Sequence, residues 1–149
     1  MKGNNSDKDF HRVLGEMLQE AYQKNQGLNI KIVTGSMSPL IEAGDVVRII
    51  PVEPSGIHTG DIVAFREGPR IVVHRIVGKI RSNRQVTGFH QRSDTSGLAG
   101  VIASQDVIGR VVTITKEGRE IYLDTARCRI SSRIFVWRGW SREWFRWRQ

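Results

Sequence analysis

Arg70-Ile71-Val72-Val73-His74-Arg75-Ile76-Val77-Gly78-Lys79-Ile80 is the stretch that decides how this chain folds. It is rich in β-branched residues, which suit a pleated, half-buried surface. Side chains alternate faces along a strand, so Val72, His74 and Ile76 share one side while Val73, Arg75 and Val77 share the other. On either side of it, similar short Val- and Ile-rich runs occupy 29–33, 46–50, 62–65, 84–87, 107–115 and 119–123, separated by turn residues. Lys116-Glu117-Gly118 reads as a hairpin turn between the last two. Gly44-Asp45 and Gly60-Asp61 each precede a strand, where glycine supplies a positive φ and aspartate bonds the local backbone. The Ser- and Gly-rich span 92–104 reads as a surface loop. The pattern predicts a mainly β domain over 28–124, a twisted or partly closed barrel.

Two segments flank this domain. In 1–27, Ser6-Asp7-Lys8-Asp9 has the form of a capping box, and Phe10, Val13, Leu14, Met17, Leu18 and Ala21 follow at helical spacing. An amphipathic helix over about 7–24 is expected, packed on the domain, with Gly27 available to end it. The segment 125–149 is different in composition. From Arg127 onward it carries seven arginines and one glutamate, so most of the net charge of +8 lies there, together with all four tryptophans. Relative to Ile130, residues Ile134, Trp137, Trp144 and Trp147 fall on one side of a helix, with Arg138, Arg142 and Arg146 on the other. Phe135 and Gly139 interrupt that pattern, so the basic C-terminal helix is expected to be incomplete or conditional.

Composition narrows the function. A chain of 149 residues can bury a single core, and 26% charged residues beside 39% hydrophobic ones indicate a globular protein. No run approaches the roughly 20 apolar residues of a membrane span, and the polar first residues carry no secretory signal. The expectation is a cytoplasmic protein, with peripheral membrane contact as an extension of it. Cys128 is the only cysteine, which excludes an intramolecular disulfide and a thiolate cluster. His11, His58, His74 and His90 show no zinc-ligand spacing, and no glycine-rich phosphate loop is present, so neither metal nor cofactor is expected.

The chemistry concentrates in Thr34-Gly35-Ser36-Met37-Ser38-Pro39 and in His74. Ser36 follows a strand and a glycine, so its hydroxyl projects from a bend beside backbone N–H groups, as an acyl-transfer nucleophile and its oxyanion hole require. A hydroxyl attacks only when a base takes its proton. His74 stands between apolar neighbours on its strand face, where a neutral imidazole suited to that task is expected. Each signal alone also fits a structural role, as a Gly-Ser turn or as a half-buried histidine bonded to the backbone.

Four segments taken in order change the balance. Thr34-Gly35-Ser36-Met37-Ser38-Pro39, Glu42-Ala43-Gly44-Asp45-Val46-Val47, Gly60-Asp61-Ile62-Val63-Ala64-Phe65-Arg66 and Val73-His74-Arg75-Ile76-Val77 closely resemble the ordered boxes of type I signal peptidases. That superfamily also includes self-cleaving repressors, and the likeness spans about 30–112. The resemblance implies a serine endopeptidase in which Ser36 is the nucleophile and His74 the general base, as in the histidine-type archaeal and endoplasmic-reticulum members. It further implies that the Ser36 N–H, with the Thr34 hydroxyl, stabilises the oxyanion, and that Met37 lines the substrate pocket. Histidine-type members use a further aspartate. Here that box is degraded to Val86-Thr87-Gly88-Phe89-His90-Gln91-Arg92-Ser93-Asp94, leaving Asp94 as first candidate to orient His74 and Asp106 as second. Either acid could equally cap a turn.

The expected substrate is a leader or signal segment of a peptide or preprotein. For 127–149 the readings are an anionic membrane surface, met by tryptophan and arginine, or a tail packed on the domain; nucleic acid is the weakest match. A catalytically lapsed domain that binds peptides or membranes is the alternative to the enzyme. A repressor-like regulator fits less well, since one N-terminal helix cannot make a helix-turn-helix.

Overall fold

The computed structural model describes residues 27–123 throughout, and before them the positions 13, 16, 17, 20, 23 and 24, which are α-helical. Val13 and Met17 each leave 46% of their surface exposed, so those two apolar positions are not core, and Lys24 pairs with Glu20 one turn away. The expected basic helix over 125–149 lies outside the described residues.

The described domain is mainly β. Its strands are β1 (Leu28–Lys31), β2 (Val46–Ile50), β3 (Ile62–Glu67), β4 (Arg70–Ser82), β5 (Gln85–Arg92), β6 (Ala99–Ala103), β7 (Val107–Lys116) and β8 (Arg119–Tyr122). All join one antiparallel sheet in the order β1-β2-β7-β3-β4-β5-β6, with β8 also on β7. Strand β7 organises it. One edge pairs with β2 from Arg110 to Thr115, while the other pairs with β3 from Val107 to Arg110 and with β8 from Thr113 to Lys116.

Both sheet faces carry a core, which explains why β3 is buried at four consecutive positions, Ile62 to Phe65. Ile62 and Ala64 join Val47, Ile49, Val73, Ile108, Val111 and Ile114 on one side, closed by Met37 and Ile41. Val63 and Phe65 join Ile76, Phe89 and Ile102 on the other, with Ile57 contributed by the β2–β3 connection. Burying such side chains is worth roughly 1.5–3 kcal/mol each before entropy, so each cluster weighs heavily in holding the sheet.

Three expectations change. The sheet is open, with β1 and β6 as its ends, and is not a partly closed barrel. The span expected as a loop contains β6, and β5 runs to Arg92. Gly88 and Gly100 obscured this, yet each has a neighbour at close range: a Cβ at Gly88 would lie 2.7 Å from the Ile102 carbonyl oxygen, a backbone atom, and one at Gly100 would lie 2.7 Å from Gln91 Nε2, which would have to move. The Gly-Asp pairs behave as expected. Gly44 and Gly60 have φ of 99° and 98°, and Asp45 and Asp61 each accept a 2.8 Å bond from the backbone N–H three residues earlier.

Candidate active site

The Ser36 bend is held by its carbonyl groups. Ser38 N–H donates to Gly35 O at 3.1 Å and Ile41 N–H to Met37 O at 3.0 Å, closing the turns around Ser38-Pro39, whose peptide bond is cis. The segment after β5 grips the same bend: Ser93 Oγ donates to Ser36 O at 2.7 Å, Thr95 N–H to Ser36 O at 3.1 Å, and Thr95 Oγ1 to Gly35 O at 2.6 Å. Opposite it, Lys116 Nζ donates to Pro39 O at 3.2 Å and to Glu42 at 2.7 Å, and lies 3.4 Å from Asp45. The bond to Glu42, with the nearby carboxylate charges, raises the Lys116 ammonium above its ordinary value. With those carbonyls tied back, the Ser36 N–H makes no backbone hydrogen bond among the described residues.

His74 lies where strand alternation puts it, on the Phe65 side, opposite Val63 in the β3 register. Its ring meets Phe65 edge-on at 5.9 Å between centroids. Nδ1 lies 2.5 Å from Gln91 Oε1 on β5. Arg75, the next residue, points to the other face. Its Nε and Nη2 donate to the two Asp94 oxygens at 2.9 and 2.6 Å, and its Nη1 donates to Gly60 O at 3.1 Å. Both side chains of this pair are only 5% exposed.

The placement of the expected third member is therefore corrected. Asp94 meets Arg75, because alternation separates the faces of His74 and Arg75 and the bidentate geometry occupies both carboxylate oxygens. Asp106 ends a 3₁₀ turn (Ser104–Asp106) and lines a separate polar depression with Arg66, Gly68 and Gln105. The residue that meets the imidazole is Gln91, 8% exposed, which sequence reading passed over. Its signal was parity: it shares a strand face with Phe89, a core residue.

Next to Ser36 runs a cleft of about 530 Å³. One wall comes from Ile30 to Thr34 with Ser36, Met37 and Ile41, and the other from Glu67 and Pro69 to Val73. Met37 is 2% exposed, so it belongs to the core as well as to the cleft wall. Thr34 is exposed on the Ser36 wall. The second wall includes an open strand edge: β4 pairs with β3 through Arg75 and with β5 only from Arg75 onward, so among the described residues Ile71 to His74 have no strand partner on the β5 side, and Ile71 to Val73 of that edge line the cleft. An unpaired edge beside an apolar trough is the kind of surface to which an extended peptide adds as a strand.

Segment 91–95 thus holds three parts together, with Gln91 on His74, Asp94 on Arg75, and Ser93 with Thr95 on the Ser36 bend. Among the described residues no hydrogen bond joins Ser36 Oγ to the His74 ring, no group of His, Cys, Asp or Glu could hold a metal ion, and no helix is long and apolar enough to cross a membrane. The chain matches no protein-family model and no curated protein sequence.

Proposed function

We propose that this chain is a serine endopeptidase of the type I signal peptidase kind, built on that family's β fold and acting through Ser36 and His74. The observation that carries the reading is the shared anchor. The short segment 91–95 binds both the serine bend and the histidine strand, beside an apolar cleft with an open strand edge. In this mechanism an extended leader segment pairs along Ile71 to His74. Ser36 Oγ attacks the scissile carbonyl carbon as its proton passes to His74 Nε2. The oxyanion is held by the Ser36 N–H, which makes no competing backbone bond among the described residues, with the Thr34 hydroxyl as second donor. His74 then protonates the leaving amine, and a water activated by the same ring hydrolyses the acyl-serine.

Incubating the purified protein with a leader peptide carrying small residues before the cut tests the proposal, with products mapped by mass spectrometry. One specific endoproteolytic cut supports it. A second reading, a lapsed domain that binds peptides without cleaving them, takes its support from the lack, among the described residues, of a Ser36 Oγ–His74 bond and of a carboxylate on the ring. Saturable peptide binding with no product would favour that reading over the enzyme.

A further inference from the structure

We infer that Gln91 is the positioning residue of this site: its amide oxygen holds His74 as the Nδ1–H tautomer, so that the bare Nε2 is the nitrogen offered as base. The inference rests on the reading of Ser36 and His74 as a catalytic pair. A neutral imidazole has one donor nitrogen and one acceptor nitrogen, and the bond made by one decides the state of the other. Gln91 Oε1 can only accept, so at 2.5 Å it requires a proton on Nδ1.

The amide oxygen faces His74 and the amide nitrogen faces β6. Gln91 is 8% exposed, and its Nε2 lies against Gly100 of β6, where an added Cβ would sit 2.7 Å away. A side chain at position 100 would displace the amide from where it lies, so Gly100 leaves space for the observed placement with the oxygen toward His74. The nearby carboxylate is not available for this task, because Asp94 gives both oxygens to Arg75 on the opposite face. A neutral acceptor fixes the tautomer without supplying a counter-charge for the imidazolium. Orientation alone is therefore what Gln91 contributes.

Nitrogen-15 NMR of the imidazole rings in the full-length protein reads the tautomer directly, with the His74 signals identified by their loss in His74→Gln. The expected result is a protonated Nδ1 and a bare Nε2 in the parent. That state should persist in Gln91→Glu, which keeps an acceptor oxygen, and be lost in Gln91→Leu. Gly100→Ala, which leaves Gln91 in the chain but pushes its amide aside, should lose it too. Cleavage of the leader peptide should follow: kcat lower by about 10²-fold in Gln91→Leu with KM nearly unchanged, and largely restored in Gln91→Glu. An Nε2–H ring in the parent overturns the inference, as does an unchanged ring in Gln91→Leu that still shows the native fold. The two readings fail separately. Cleavage that needs Ser36 and His74 alongside an Nε2–H ring removes only the role of Gln91, whereas an Nδ1–H ring without any cleavage removes only the enzyme.

Discussion

Replacing Asp94 by alanine separates two roles this residue could have. In the structure it is half of a buried ion pair, with both side chains 5% exposed and two charge-assisted bonds at 2.9 and 2.6 Å. Removing one partner of such a pair costs about 3–5 kcal/mol, since the remaining charge stays out of water. Arg75 Nη1 keeps its bond to Gly60 O, which places the expected loss near the lower end, about 3 kcal/mol. Against a total of roughly 5–15 kcal/mol this is a large fraction. With a urea dependence of about 1.5 kcal/mol per molar, the unfolding midpoint should fall by about 2 M. The assay is equilibrium urea unfolding followed by tryptophan-independent far-UV circular dichroism. Asp94→Leu combined with Arg75→Met should recover most of the loss, because an apolar pair of similar volume needs no desolvation of charge. An Asp94→Ala midpoint within about 0.3 M of the parent, with catalysis lost, would refute the structural role and return Asp94 to His74.

Three further outcomes follow from the packing and charge. Gly109→Ala would place its Cβ 2.3 Å from the Ile50 carbonyl oxygen, a backbone atom that cannot step aside, so a loss of about 2–3 kcal/mol is expected by the same urea assay. Lys116→Met should lower the melting temperature. Because the bond to Glu42 raises the folded-state value of Lys116 above 10.5, the difference between parent and variant should be full below that pH and shrink as pH rises through the raised value; a gap that does not change with alkaline pH would contradict the pairing. If the arginine- and tryptophan-rich residues 127–149 dock on anionic lipid, co-sedimentation with phosphatidylglycerol vesicles should disappear on their removal and weaken sharply with salt, whereas equal binding by the truncated chain would exclude that role.

Much of the sheet was legible because alternation is a local property. Val72, His74 and Ile76 fall on one side of β4 and Val73 on the other, as their spacing requires. Strand β6 was not legible, since Ala99, Gly100 and Ala103 carry weak β signals; the missing side chain at Gly100 leaves space for Gln91, a neighbour that sequence does not reveal. The third member of the site failed for a related reason. Asp94 stands at a plausible distance along the chain, but the β4–β5 register shifts between Ile76 and Gly78 and again between Ile80 and Arg81. Each bulge changes which residues face each other, so the side of β5 that meets His74 cannot be counted back from the hairpin turn. The openness of the sheet was equally hidden, because edge pairing is decided between distant strands.

Activation of a Ser36 nucleophile by His74, as proposed, is tested by kcat/KM for leader-peptide cleavage in the parent, Ser36→Ala and His74→Ala proteins, each checked for native fold. Specific cleavage by the parent and a loss of roughly 10⁴-fold or more in each variant are expected. Cleavage that survives either substitution at the parental rate would contradict it.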